Sequence, residues 1–145
     1  DIIEIKTTKG YGYFQCMVVD KTEGDLIKVF NKVFSHQETD INTIISIEDT
    51  YFYRFPLSYA LRKKVVTTIG FAEIPEDFEP PLFMKEKHIV RGVFLGWHIV
   101  NTKTLFNRLV TVLNDEEKKL SEFGIINDTY LIEKFDSGWS PKNWE

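Results

Sequence analysis

The stretch that decides the fold runs from Val65 to Met84 and reads VVTTIGFAEIPEDFEPPLFM. It begins with a β-branched apolar run, which is typical of a strand that is buried on at least one face. It ends in a segment that combines prolines with carboxylates, namely Pro75, Pro80, Pro81, Glu73, Glu76, Asp77 and Glu79. The pattern predicts a core strand over Val65–Ile74, followed by a stiff acidic loop on the surface.

Length, composition and charge bound the class of protein. The chain has 145 residues, of which 43% are hydrophobic and 28% are charged, as expected for one folded domain. The net charge of −4 disfavours a nucleic-acid partner, because such proteins need a basic face. No apolar run reaches the length of a membrane span and no signal peptide is visible, so we expect a cytoplasmic protein with no membrane partner. The single cysteine, Cys16, lies in an apolar run and is expected to be buried.

Four apolar runs upstream of the central stretch predict strands, at Ile2–Lys6, Tyr11–Asp20, Leu26–Phe34 and Thr50–Phe55. The run 11–20 is apolar on both faces, which indicates a central strand. The range 41–47 fits either a short strand or a helical turn. The range 57–64 predicts a short helix, because its basic residues gather at its C-terminal end.

Downstream of the central stretch, the charged range Lys85–Arg91 predicts a loop, and Gly92–Asn101 predicts a strand in which Gly96 marks a bulge. Leu105–Leu113 has leucines at helical spacing but also β-branched residues, and we favour a strand. Two short helices follow, and a capping-box pattern and a terminal glycine define the first. Trp139 and Trp144 are expected to pack the C-terminal tail against the rest of the domain. The helices are predicted at Asp115–Phe123 and Asp128–Phe135.

These elements predict a single α+β domain over residues 1–145. Its sheet is expected to be mostly antiparallel, with two or three short helices that lie mainly in the C-terminal half.

Catalytic, cofactor and metal signatures are absent from the sequence, so no such residue is predicted. The three histidines, His36, His88 and His98, lie far apart and lack partners at the spacing of metal ligands. No glycine-rich phosphate loop and no nucleophile motif is present. We therefore expect a protein that is not an enzyme and that carries no cofactor.

The strongest functional signal is a set of acidic residues with one aromatic neighbour. Exposed acids are most often ordinary solvated surface, but a negative patch with an aromatic anchor is also typical of a surface that binds a basic protein. Phe83 is expected to pack in the core. The candidate partner-binding residues are Glu73, Glu76, Asp77, Phe78, Glu79, Asp115, Glu116 and Glu117.

Several segments together resemble the immunity protein 26 family of bacterial polymorphic-toxin and contact-dependent inhibition systems. They are GYGYFQCMVVD with LIKVFNKVF, FYRFPLSYALRKKVVTTIGFAEIPEDFEPPLFM, LNDEEKKLSEFGIINDTYLIEKF and the closing SGW. The succession of strand, Gly-Phe, Ile-Pro and Phe-x-Pro-Pro is the most distinctive of these. The resemblance implies a small cytoplasmic protein that binds and neutralises a cognate toxin domain, and it supplies no catalytic residues. A basic toxin, such as a nuclease, would be complementary to an acidic inhibitor.

Two other classes of function remain open from the sequence. A non-enzymatic module that binds a peptide or small ligand would use an exposed sheet edge. An uncharacterised enzyme would assemble its site from Tyr, Asp and His residues and would show a deep pocket with convergent titratable groups.

Overall fold

Two antiparallel sheets form the framework of the computed structural model, which describes residues 1–145. The larger sheet has the order β4-β3-β2-β1-β5, with β1 at Ile2–Lys6, β2 at Tyr11–Val18, β3 at Asp25–Phe34, β4 at Thr50–Phe55 and β5 at Val66–Gly70. The smaller sheet has the order β6-β7-β8, with β6 at Phe83–Val90, β7 at Val93–Asn101 and β8 at Asn107–Val110. The predicted α+β class and the antiparallel pairing are confirmed.

Four short α-helices and one 3₁₀ helix accompany the sheets. They are α1 at Ile41–Ile45, α2 at Leu57–Arg62, α3 at Asp115–Lys118, α4 at Asp128–Ser137 and the 3₁₀ helix at Pro141–Asn143. The open range 41–47 therefore contains a helix. The first predicted C-terminal helix is shorter than expected and ends at Lys118, whereas the second extends to Ser137. All of these helices are too short to cross a membrane.

One face of the larger sheet carries the main core. Alternate side chains of β1 and β2, among them Ile3, Ile5 and Phe14, are buried against Leu131 and Phe135 of α4. Gly12 permits this contact, because a Cβ atom there would lie 2.6 Å from the ring of Phe135. The opposite face buries a smaller cluster that consists of Ile2, Tyr13, Phe30 and Ile44.

The central stretch occupies a different place from the one predicted. β5 forms an edge of the larger sheet and pairs only with β1, and Thr67 and Thr68 on it are exposed. The prediction of a buried core strand over Val65–Ile74 is therefore only partly right: Val66–Gly70 is a strand and Val66 is buried in the main core, but the two threonines face solvent at the sheet edge and residues 71–74 are loop. The central position of β2 is confirmed.

The charged range Lys85–Arg91, predicted as a loop, is mostly strand β6. It forms a hairpin with β7 across Arg91 and Gly92, whose φ angles of 52° and 79° are typical of a type I′ turn. Gly96 lies at the predicted irregularity, and a Cβ atom there would lie 2.6 Å from the carbonyl oxygen of Val110. Phe83 is 43% exposed, so the prediction that it packs in the core is wrong.

A segment at residues 121–126 joins the two sheets. It lies between the outer edge of β4 and the outer edge of β6, and it forms a parallel bridge with each strand. The Lys85 N–H donates to the Ser121 carbonyl at 2.9 Å, and the Ile126 N–H donates to the Arg54 carbonyl at 2.9 Å. We call residues 121–126 the connecting segment, since its backbone satisfies both strand edges at once.

Candidate partner-binding surface

The predicted acidic loop crosses the larger sheet on the face opposite α4. Residues 71–82 leave β5 at one edge, and the carbonyl of Ala72 accepts a hydrogen bond of 3.0 Å from the Gln15 amide on the central strand. The ring of Phe78 then contacts Phe52 of β4, the strand at the other edge, with 6.0 Å between ring centroids. The loop is thus fixed at both ends over one face of the sheet.

The carboxylates of this loop point into solvent. Glu73, Glu76, Asp77 and Glu79 are all exposed, as predicted, and none of them forms an ion pair. Phe78 is half-buried and uses its ring to hold the loop on β4. Phe71, which the sequence did not single out, is 68% exposed and is the most exposed large apolar side chain of the loop.

A second acidic segment covers the same face. Residues 35–50 pack on it through Ile41, Ile44 and Ile47, which join the cluster that contains Tyr13 and Phe30. This segment carries Glu38, Asp40, Glu48 and Asp49. The two segments together bring eight carboxylates onto one side of the sheet. We call this surface the acidic face.

Cations are missing from both segments of the acidic face. No lysine or arginine occurs in residues 33–53 or in residues 65–84. In the sheet beneath the loop, Lys28 of β3 pairs with Gln15 and Phe52. At the border of the acidic face, Lys119 and Lys142 share a groove of about 420 Å³ with Glu48 and Asp49. The absence of basic residues from residues 33–53 was visible in the sequence, but only the fold shows that this segment lies beside the acidic loop.

A buried polar network fixes the start of the second acidic segment. The Tyr13 hydroxyl donates to the Glu4 carboxylate at 2.8 Å and accepts from the Glu38 N–H at 2.7 Å. The amide of Gln37 donates to the other oxygen of Glu4 at 3.0 Å. Burial raises the pKa of Tyr13 to about 12, so the hydroxyl remains a donor at neutral pH. The backbone of residues 37–38 is therefore held against the sheet.

The other predicted acidic group lies at the start of α3, where no hydrogen bond or ion pair joins it to the loop. Asp115 and Glu116 are exposed, and Glu116 lies 3.8 Å from Lys119. Glu117 is buried and forms the predicted capping box with Asn114, and it also pairs with Arg108 at 2.6 Å. The hydrogen bond to the Asn114 backbone, helped by Arg108, lowers the pKa of Glu117. The carboxylate of Glu117 thus has internal partners.

A second cluster of titratable groups links the connecting segment to the core. The Glu122 carboxylate accepts hydrogen bonds from the hydroxyl of Tyr53 at 2.5 Å and from that of Tyr130 at 2.9 Å. Burial, together with the charge of Glu122, raises the pKa of both tyrosines. Each tyrosine is therefore a hydrogen-bond donor at neutral pH, and the three side chains tie β4, the connecting segment and α4 together.

Two of the histidines are neighbours, which corrects the expectation that all three lie apart. The rings of His88 and His98 lie side by side on the smaller sheet with 4.5 Å between centroids, and Nδ1 of His98 is 3.4 Å from Glu86. Their strands pair Glu86 with His98, so that a separation of twelve residues in sequence becomes a contact. No group of three or more His, Cys, Asp or Glu residues is arranged to hold a metal ion.

Comparison with known proteins supplies no further identification, since no family model matches the chain and no solved structure matches it.

Proposed function

We propose that this protein is an immunity protein that binds a cognate bacterial toxin domain and neutralises it by covering its active or substrate-binding face. The observation that carries the proposal is the acidic face, where two segments without lysine or arginine cover one side of the larger sheet. The resemblance to the immunity protein 26 family supports the same class. The protein acts in this proposal in the cytoplasm and without a cofactor.

The charge of the acidic face points to a partner with a basic surface, as a nuclease has. Complementary charges raise the rate of association and fix the orientation of the partner, and they contribute less to the final affinity. None of the carboxylates of residues 71–82 is engaged by a cation of this chain, so all of them are free to attract one.

A tight complex also needs an apolar anchor near the charged groups. Phe71 meets this requirement, because it is 68% exposed and lies two residues before Glu73. Phe78 acts from beneath and holds the loop in place through Phe52.

The test is a charge reversal in the acidic loop. The variant Glu76→Lys/Asp77→Lys/Glu79→Lys is co-expressed with the cognate toxin domain, to be sought among the products of neighbouring genes, and binding and protection from growth arrest are measured. We expect the association rate to fall at least about tenfold at low salt, with a weaker dependence on salt than the wild type shows. The matched control is Asp115→Lys/Glu116→Lys, which reverses two exposed acids outside the acidic face.

Two outcomes separate the parts of the proposal. An unchanged affinity and salt dependence in the triple variant would show that the acidic face is not the interface, even if the toxin still binds. Failure of the wild-type protein to bind the toxin domain, or to protect cells from it, would contradict the immunity function itself.

A second candidate function is a module that binds a peptide by strand addition. The observation that favours it is that β5 and β8 each leave one strand edge unpaired. Binding of an extended peptide at either edge, with no effect of the acidic-loop variant, would support this function.

A further inference from the structure

The outer edge of β8 has no partner in the chain. β8 is the last strand of the smaller sheet and pairs only with β7. None of the backbone hydrogen bonds outside the sheets and helices involves a residue of Asn107–Val110. The unpaired edge of β5 differs, since its exposed residues Thr67 and Thr68 are polar and small and it follows Lys63 and Lys64, which oppose edge-to-edge association, whereas the β8 edge adds exposed large apolar side chains.

Four large side chains along β8 and its flanks are apolar and exposed, beside the exposed polar residues Asn107, Arg108 and Thr111. The exposed fractions are 63% for Leu105, 80% for Phe106, 52% for Leu109 and 81% for Val112. Leu105 also has a φ angle of 61°, an unusual backbone conformation for a leucine. The only charged residue of β8, Arg108, is paired with Glu117 at 2.6 Å. The edge therefore presents apolar surface without an unpaired charge inside the strand.

Symmetry restricts how two copies of this edge can pair. Successive residue pairs in an antiparallel ladder alternate between hydrogen-bonded and non-hydrogen-bonded types. A two-fold axis between identical strands must therefore pass through a residue that faces its own copy. In the middle of β8 this residue is either Arg108 or Leu109. Arginines placed directly opposite each other are destabilising, whereas two leucines gain apolar contact.

We propose that two copies of the protein associate through their β8 strands, antiparallel and with Leu109 facing Leu109 of the second copy. This register extends the two three-stranded sheets into one sheet of six strands. It places Phe106 of each copy opposite Val112 of the other, so the most exposed apolar residues of the edge cover each other.

The apolar area is sufficient for a concentration-dependent dimer. The four side chains expose on the order of 500 Å² per copy, judged from the usual areas of such residues. Two copies would bury at most about 1,000 Å² in this way, which lies near the lower limit for specific interfaces. The β6–β7 hairpin adds to the contact, because the exposed Leu95 lies at the same end of the smaller sheet as Val112.

The first test measures the molar mass of the purified protein by size-exclusion chromatography with light scattering over a range of concentrations. We expect the wild type to approach twice the chain mass of 17.0 kDa as concentration rises. Leu109→Lys is expected to remain monomeric, because it places two ammonium groups at the axis. The matched control Val19→Lys replaces an apolar residue that is 71% exposed and lies in the larger sheet's β2–β3 turn, and it should dimerise like the wild type.

The second test fixes the register. Leu109→Cys, made in a Cys16→Ser background, should form a disulfide-linked dimer on mild oxidation, because directly opposed residues of a ladder lie within the reach of a disulfide. Thr67→Cys on the β5 edge, in the same background, should remain unlinked. The proposal is overturned if the wild type is monomeric at every concentration, if Leu109→Lys still dimerises, or if the two cysteine variants cross-link equally. Circular dichroism checks that each variant is folded.

Discussion

Lys85 lies fully buried on β6, with its ammonium 5.3 Å from the centroid of Trp97 and 5.9 Å from that of Trp144. Its Nζ donates to the carbonyl oxygens of Lys118 at 2.7 Å and Pro141 at 2.8 Å. No carboxylate pairs with it, and desolvation lowers its pKa to about 8. The side chain therefore holds the turn after α3 and the 3₁₀ helix against the smaller sheet, and a neutral amine can make the same two hydrogen bonds.

The lowered pKa of Lys85 gives stability a specific dependence on pH. Between about pH 8 and pH 10.5 the unfolded chain binds more protons than the folded one, so the free energy of unfolding rises with pH through this window. Lys85→Met removes the effect. We expect the difference in unfolding free energy between wild type and variant to rise by on the order of 1–3 kcal/mol from about pH 7.5 to 9.5. Urea unfolding at each pH measures this difference. If the unfolding free energies of wild type and variant changed in parallel with pH, the lowered pKa of Lys85 would be contradicted. Lys142→Met, which removes an exposed lysine, is the control.

At the scale of elements, the connecting segment decides how the two sheets are joined. Ser121 contributes twice, because its hydroxyl accepts from the Phe52 N–H at 2.9 Å and its carbonyl accepts from the Lys85 N–H. Glu122 adds the hydrogen bonds to Tyr53 and Tyr130. Removing one acceptor from this segment leaves a donor of β4 unsatisfied in a part of the protein that water reaches poorly.

Ser121→Ala tests this joint. The substitution leaves the Phe52 N–H without its acceptor, and we expect the free energy of unfolding to fall by about 1–2 kcal/mol. Urea denaturation gives the stability, and amide hydrogen exchange should show faster exchange at Phe52. Ser137→Ala is the matched control, since Ser137 is exposed on α4 and should change stability by less than about 0.5 kcal/mol. Equal effects of the two substitutions would contradict the role of Ser121.

The acidic loop depends on one half-buried ring, that of Phe78. Phe78→Ala removes the contact with Phe52, and we expect a loss of about 1–2 kcal/mol, less than for a fully buried phenylalanine because Phe78 is only half-buried. Proteolysis within residues 71–82 should become faster. Phe71→Ala, in the same loop but 68% exposed, should leave both stability and proteolysis unchanged. If Phe71→Ala destabilises the fold as much as Phe78→Ala, the two rings have been assigned the wrong roles.

Sequence patterns predicted which residues form strands and helix caps better than they predicted where those elements lie in the fold. The strands β1 to β4 and the cap at Asn114 follow from local rules, because alternation and capping residues act within a few positions. β6 was predicted as a loop because its charged residues indicate solvent exposure, whereas Lys85 is fully buried in the structure. The edge position of β5 depends on pairing with β1, some sixty residues earlier, which no local pattern reports.

The candidate surface was predicted only in part, again because some of its contacts join residues that are far apart in sequence. The exposed carboxylates of residues 73–79 follow from their density of acids and prolines. The packing of α1 beside this loop does not, because it depends on contacts of Ile41 and Ile44 with strands far away in sequence. The internal role of Glu117 was partly visible as a capping box, but its ion pair with Arg108 requires the position of β8.

At the scale of the whole molecule, charge is unevenly distributed. The acidic face holds eight carboxylates, while residues 83–113 carry five lysines and arginines and one glutamate. Like charges on one face repel each other and lower the stability of the folded state, a cost that salt reduces by screening.

This repulsion predicts a stabilising effect of salt. We expect the Tm of the wild type to rise by a few degrees when NaCl increases from about 0.02 M to about 0.2 M. The neutral variant Glu76→Gln/Asp77→Asn/Glu79→Gln should start from a higher Tm and respond less to salt. Differential scanning calorimetry measures both values. Identical salt responses of the two proteins would show that the loop carboxylates do not repel one another appreciably.

The connecting segment also sets an order of events during synthesis. β4 is complete once Phe55 has left the ribosome, but the chain that covers its outer edge ends at Ile126, about seventy residues later. At about 5–20 residues per second, this edge stays open for several seconds, during which it can pair with strands of other nascent chains. Because the segment that joins the two sheets is synthesised late, the outer edge of β4 is protected from other chains in the cell only after the C-terminal part of the protein has been made.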